Sequence, residues 1–180
     1  MAEEKTPLEE LLEDELKDLY SAENQIIKAL PKMIKACESP ELKRAFERHL
    51  EETRRQVDRL DQIGEELEVK LTGKKCKGME GLIEENKELM GEDADPDVMD
   101  AGLIVGSQKI EHYEIAGYGS AVTFAKLLGN DQAARLLAQT LDEEERTDKK
   151  LSEIAESAIN VEAANGGNGA ARSKSRSKRR

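Results

Sequence analysis

Two glutamates, Glu111 and Glu114, stand three residues apart in the stretch QKIEHYEIAGYG, which otherwise has the pattern of a buried helix. Residues three apart are neighbours on one face of a helix, so the two carboxylates would lie side by side. Carboxylates are almost never fully buried unless they are paired or bind a metal ion. The spacing therefore predicts a carboxylate metal site, and the alternative is a solvated helix face in an acidic chain.

Polar residues interrupt the inner apolar stripes of other helices at mid-length as well. Glu23 lies in the stripe of the first helix, and His49 and Glu52 occupy the middle of the second. Glu144 and Asp148 interrupt the stripe of the last helix. Carboxylates from four helices at one level would repel one another without a cation, whereas iron and manganese accept oxygen ligands. These positions predict a dinuclear metal site in the middle of a helical bundle.

An internal repeat leaves the ligand on the last helix open. The segments LEETRRQVDRL (50–60) and LDEEERTDKKL (141–151) align without gaps, and the second-helix glutamate then matches Glu143. The apolar stripe favours Glu144 instead, and Glu145 is the third acidic residue in the run. We take Glu144 as the predicted ligand.

Long helices must position these residues. The composition is 37% charged and 3% aromatic with no Trp, which favours helices over strands. Pro-led starts and apolar periodicity predict four long helices at about 7–37, 40–68, 96–128 and 131–159. The link between the second and third helices is too long for a tight turn and carries a short helix near 79–90. Two hairpins joined by such a crossover predict an all-α, ferritin-like four-helix bundle.

The last part of the chain differs in composition from the rest. We predict a bundle over residues 1–160 and a disordered basic tail over 161–180. Residues 172–180 hold six basic side chains. The net charge of the whole chain is -11, so residues 1–171 carry a charge of -17 (-11 minus 6). A basic tail could contact nucleic-acid phosphates, fold back on the acidic body or serve solubility. The chain has no apolar run resembling a signal peptide or membrane span, so we expect a cytoplasmic protein without membrane insertion.

Several stretches together resemble the YciE/YciF family of bacterial ferritin-like proteins associated with stress responses. They are DLYSAENQIIKALPKM, HLEETRRQVDRLDQI, KGMEGLIEE, QKIEHYEIAGYG and LDEEERTDKKL, and the resemblance runs from about Leu8 to Ala158. It implies a four-helix ferritin-like fold, a homodimer and a dinuclear site formed by carboxylates. The implied cofactor is a pair of iron ions, with manganese as the alternative.

Carried over residue by residue, the resemblance implies metal ligands on all four long helices. They are Glu23, Glu52, Glu111, Glu114 and Glu144. The common Glu-x-x-His rule is not followed, because Arg55 and Thr147 stand where histidines would be. Asp148 is a substitute oxygen ligand, and His49 is either a ligand or a donor that orients a carboxylate.

Two functions of different classes follow from these features. The first is a di-iron protein of the stress response that acts on O2 or peroxide, by iron oxidation or peroxide removal. The second is a non-catalytic helical dimer that acts through protein or nucleic-acid partners and keeps a structural or vestigial metal site. Turnover of peroxide separates the two hypotheses.

Overall fold

A computed structural model describes residues 4–165, and this part of the chain is all-helical. The helices are α1 Pro7–Ala36, α2 Pro40–Glu66, α3 Lys77–Met90, α4 Pro96–Leu127 and α5 Asp131–Ile154, then a π-helical turn Ala155–Ile159 and α6 Asn160–Ala164. Within the described range, no helix combines the length and the apolar character that crossing a membrane requires. Residues 161–164 of the predicted tail are therefore helical, and residues 166–180 lie outside the described residues.

Local signals set where the helices begin and end. Thr6 forms a capping box with Glu9 at the start of α1, with Pro7 in the first turn. The Ser39 side chain accepts a hydrogen bond from the backbone N–H of Leu42 at the start of α2. Between α4 and α5, Gly129 has a φ of +75°, the left-handed conformation that terminates many helices and that glycine adopts without strain.

The four long helices pack side by side, with α1 and α5 each contacting both α2 and α4. Two apolar clusters occupy the two ends of this arrangement. One contains the C-terminal half of α1 and the N-terminal halves of α2 and α4, and it includes Ile26, Phe46 and Leu103. The other contains the opposite halves, including Leu16 and Leu60. Every contacting pair among the four is therefore antiparallel.

The connection from α2 to α4 has to run from one end of the molecule to the other. Leu71 belongs to the apolar cluster where α2 ends, while Met79 on α3 belongs to the opposite cluster. Helix α3 then lies against α1 and α4. Gly106 on α4 permits this close packing, since a Cβ atom there would overlap Asn86 Oδ1 at 1.5 Å.

Candidate metal centre

A layer of buried polar side chains separates the two apolar clusters. Each member is no more than 8% exposed, in a region where apolar residues would otherwise form one continuous core. The layer comprises Glu23, His49, Thr53, Gln56, Arg59, Ser107, Glu111, Glu114, Thr140 and Glu144, together with the hydroxyl of Tyr118. Burial of so many ionisable groups costs stability, so the layer calls for a compensating interaction.

Four potential ligands in this layer converge on one point. His49 from α2, Glu111 and Glu114 from α4 and Glu144 from α5 each place a ligand atom within 4.8 Å of the others. All four side chains are at most 2% exposed. Three helices thus bring one imidazole and three carboxylates to a single point, and this cluster could hold a metal ion.

Most of the oxygen and nitrogen atoms that could bind a metal in this group have no hydrogen-bond partner. Both carboxylate oxygens of Glu114, both ring nitrogens of His49 and one oxygen each of Glu111 and Glu144 are buried without one. His49 Nε2 lies 3.2 Å from Glu111 Oε1 but lacks hydrogen-bond geometry. Buried polar atoms are almost always satisfied in folded proteins, so unpaired oxygens and nitrogens that face one another fit a cation.

Glu23 supplies a fourth buried carboxylate on the α1 side of the layer. The Tyr118 hydroxyl donates a hydrogen bond to Glu23 Oε1, while Glu23 Oε2 has no partner. Tyr118 therefore fixes one oxygen of Glu23 and leaves the other available.

A hydrogen-bonded network holds Glu144 from its α2 side. Gln56 Nε2 donates to Glu144 Oε1 and also to Glu143 Oε2, the latter at 3.2 Å. Arg59 donates to both oxygens of Glu143 at 2.7 Å and to the hydroxyl of Thr140 at 3.1 Å. The guanidinium thus compensates Glu143 and leaves Glu144 without a cationic partner.

The electrostatics favour protonated carboxyls and a neutral imidazole in the metal-free protein. Burial, and then the charges of neighbouring glutamates, raise the pKa of Glu23, Glu111 and Glu114 well above its usual range. Burial likewise raises the pKa of Glu144 to about 7, and it lowers the pKa of His49 to about 4. A bound cation would reverse this balance by favouring the ionised carboxylates.

Besides Glu23, two predicted ligands, Glu52 and Asp148, lie outside the four-residue group. The Glu52 side chain is 23% exposed, and its nearest cation is Arg55 at 4.0 Å. Asp148 accepts a hydrogen bond from Gln108 Nε2 at 2.9 Å and lies 3.4 Å from His112 Nε2. Their role as ligands stays a prediction, as it does for the residues that the structure does bring together.

The run of three glutamates on α5 divides by burial. Glu144 is fully buried in the polar layer, Glu143 is half-buried beside Arg59, and Glu145 is exposed. Sequence reasoning missed Arg59 and the hydrogen bond of Tyr118. Both occupy inner positions of their helices, and a polar group at such a position was the signal that could have revealed them.

Fold and site together define an all-helical protein whose buried histidine–glutamate cluster could hold a metal ion. The chain belongs to the DUF892 family, described as a domain of unknown function, which matches residues 7–164. It is 47% identical to Protein YciF of Escherichia coli (strain K12) over 151 residues, 83% of this chain and 91% of that protein. The resemblance to the YciE/YciF family is thereby confirmed.

Solved structures also show the similarity to YciF. The crystal structure of the E. coli stress protein YciF superimposes with a TM-score of 0.83 at 44% identity, over 87% of this chain and 99% of that one. YcfI of Rhodopseudomonas palustris, a candidate structural protein, superimposes with a TM-score of 0.79 at 42% identity. That match covers 84% of this chain and 97% of the other. The chain is thus YciF-like in sequence and in fold.

Proposed function

We propose that this chain is a ferritin-like protein of the stress response that binds two iron ions, or two manganese ions, and acts on O2 or peroxide. The observation that carries the proposal is the group His49, Glu111, Glu114 and Glu144, with its unpaired buried donor atoms. The antiparallel packing with one long crossover supports the ferritin-like assignment.

The charge of the layer favours two divalent ions over one. The four fully buried carboxylates Glu23, Glu111, Glu114 and Glu144 carry -4 when ionised, which two divalent cations balance. His49 is neutral at physiological pH and adds a nitrogen donor without charge. Carboxylate oxygens with one imidazole fit iron and manganese.

Each residue has a distinct part in this proposal. His49, Glu111, Glu114 and Glu144 hold the ions, and Glu23 contributes its unpaired oxygen from α1. Bound iron would supply one-electron chemistry toward O2 or peroxide. The two apolar clusters keep bulk water away from both ends of the layer.

Metal analysis of the purified protein tests the proposal. We expect about two iron or manganese ions per chain, as in di-metal carboxylate bundles, and consumption of peroxide by the iron-loaded protein. Protein that retains no metal after anaerobic loading with Fe(II) would refute the dinuclear site. Two ions per chain without peroxide or O2 turnover would favour the non-catalytic alternative, which the description of YcfI as a candidate structural protein supports.

A homodimer formed through the outer face of α4 is the second part of the proposal. Val98, Val105 and Leu127 are exposed on α4, and their separations of seven and 22 residues (105 minus 98, 127 minus 105) place them on one face. The first 171 residues carry a charge of -17 (-11 minus 6), so two copies repel unless an uncharged surface joins them. Val98, Val105 and Leu127 supply the aliphatic part of such a surface, and Lys109 lies on the same face between Val105 and Leu127.

The variant Val105→Asp is expected to be monomeric where the wild-type protein is dimeric, because it places two like charges in the contact. Val161→Asp is a matched control, since Val105 and Val161 are both 56% exposed but Val161 lies on α6. Size-exclusion chromatography with light scattering gives the mass of each variant. A dimeric Val105→Asp, or a monomeric wild-type protein, would contradict the proposed interface.

Contact of the basic tail with nucleic acid stays a prediction, because residues 166–180 lie outside the described part of the chain.

A further inference from the structure

A cavity with a volume of about 250 Å³ opens between α2 and α5, and its lining includes Arg48 and Glu143, the chain neighbours of the donor residues His49 and Glu144. Its walls combine two half-buried carboxylates, Glu52 and Glu143, with the more exposed cations Arg48, Arg146 and Lys150. Thr147 contributes to the wall on α5. The most buried part of the lining is apolar and comprises Ala45, Phe46 and Leu151, and the two carboxylates lie between this apolar floor and the cations at the opening.

A single side chain links this cavity to the donor group. Gln56 Nε2 donates to Glu143, which lines the cavity, and to Glu144, which belongs to the group. Gln56 is 1% exposed, and its carbonyl oxygen Oε1 has no hydrogen-bond partner. A rotation of this amide would therefore present an unpaired oxygen, a ligand for a hard cation, between the cavity and Glu144.

The charges lining the cavity are unequally compensated. Arg146 pairs with Asp142, and Lys150 lies 3.2 Å from Glu41. Glu143 is held by Arg59 at 2.7 Å, whereas the closest cation to Glu52 is Arg55 at 4.0 Å, and Arg48 and Arg146 act on Glu52 from farther away. Of the two carboxylates in this cavity, Glu52 is therefore the one without a close ion pair.

We propose that the α2–α5 cavity is the route by which a divalent metal ion reaches the buried donor group. Glu52 receives the hydrated cation, and Gln56 passes it to Glu144 by offering Oε1. This inference rests on the proposed metal-binding function. It also gives Glu52 a transient role, which differs from the resident ligand predicted from the sequence.

Closing the cavity tests the route. Thr147→Phe fills the α5 wall, and Thr72→Phe makes the same substitution at an exposed position between α2 and α3 that does not line the cavity. Uptake of Co²⁺ by the metal-free full-length protein is followed by its visible absorption, with circular dichroism as the check on folding. We expect Thr147→Phe to slow uptake roughly tenfold or more, a barrier increase of about 1.4 kcal/mol, with Thr72→Phe at the wild-type rate. The number of Co²⁺ ions bound at equilibrium should stay that of the wild-type protein in both variants.

The variant Glu52→Gln shows whether Glu52 only contacts the cation as it enters or stays bound to it as a ligand. We expect uptake about tenfold slower at unchanged equilibrium stoichiometry, because loss of one of the two carboxylates leaves the cavity more positive and a positive potential slows the association of cations. Fewer bound Co²⁺ ions in this variant would make Glu52 a resident ligand and overturn its transient role. Wild-type uptake rates in a folded Thr147→Phe protein would overturn the route. A wild-type protein that binds no Co²⁺, Fe²⁺ or Mn²⁺ would instead refute the proposed function.

Discussion

The variant Glu114→Gln is expected to be more stable than the wild-type protein without metal, and to lose most of the stabilisation that metal ions give. Both oxygens of Glu114 are buried without a partner, and burial and neighbouring carboxylates raise its pKa well above the usual range. Glutamine keeps the shape and removes the ionisable group, so the free energy of unfolding should rise by about 1–3 kcal/mol. A metal present at about 100 times its Kd should stabilise the wild-type protein by about 2.7 kcal/mol.

Urea unfolding with and without Mn²⁺ measures both effects. Glu145→Gln is the matched control, because Glu145 is exposed on α5 and should change neither quantity. If Glu114→Gln were less stable than the wild-type protein without metal and still gained the full stabilisation from Mn²⁺, Glu114 would not be a ligand.

The metal-free protein should lose stability as the pH rises from about 4.5 to about 7, and the metal-bound protein should gain it. The pKa of Glu144 rises from 4.5 in the unfolded chain to about 7 in the folded protein. Over this range the folded state holds a proton that the unfolded state has released, so the free energy of unfolding falls with pH. Glu23, Glu111 and Glu114 act in the same direction because their pKa values are also raised.

His49 opposes this trend, since its pKa falls from 6.5 to about 4 on folding. Its contribution rises with pH between these values, but one imidazole offsets only one of four carboxyls. Each remaining group contributes up to about 1.4 kcal/mol per pH unit. Metal reverses the sign because it binds the deprotonated ligands.

Urea unfolding at about pH 5 and about pH 7 measures how the free energy of unfolding changes with pH. The measurement is made once with a chelator, for the metal-free protein, and once with Mn²⁺, for the metal-bound protein. In the metal-free protein, Glu144→Gln should make the free energy of unfolding depend less steeply on pH, because one of the four titrating carboxyls has been removed. A metal-free protein that becomes more stable toward pH 7 would show that these carboxyls are not held at raised pKa.

Local signals in the sequence were sufficient to predict the helices. The Thr6–Pro7 and Ser39–Pro40 pairs start α1 and α2 where expected, because capping depends on residues a few positions apart. The last helix was predicted to run to 159, whereas α5 ends at Ile154 and a π-helical turn follows. Nothing in the local pattern indicates that turn.

The sequence predicted the polar layer, and the structure shows how its members are arranged. The inner face of α2 carries Phe46, His49, Thr53 and Gln56. Glu52 lies at the edge of this face, about 60° around the helix from His49 on the side away from Phe46 and Thr53. Arg59 finds its partner Glu143 on another helix. A pairing across 84 residues (143 minus 59) cannot be identified from the spacing on one helix.

The long crossover between α2 and α4 has a consequence for biosynthesis. His49 leaves the ribosome with the N-terminal helical pair, and the other three members of the group follow 62 to 95 residues later (111 minus 49, 144 minus 49). The emerging N-terminal half therefore lacks the complete constellation, which forms only when the second pair docks against it. The nascent chain consequently has no assembled chelating site to expose to cellular metals, and maturation of the site follows tertiary folding.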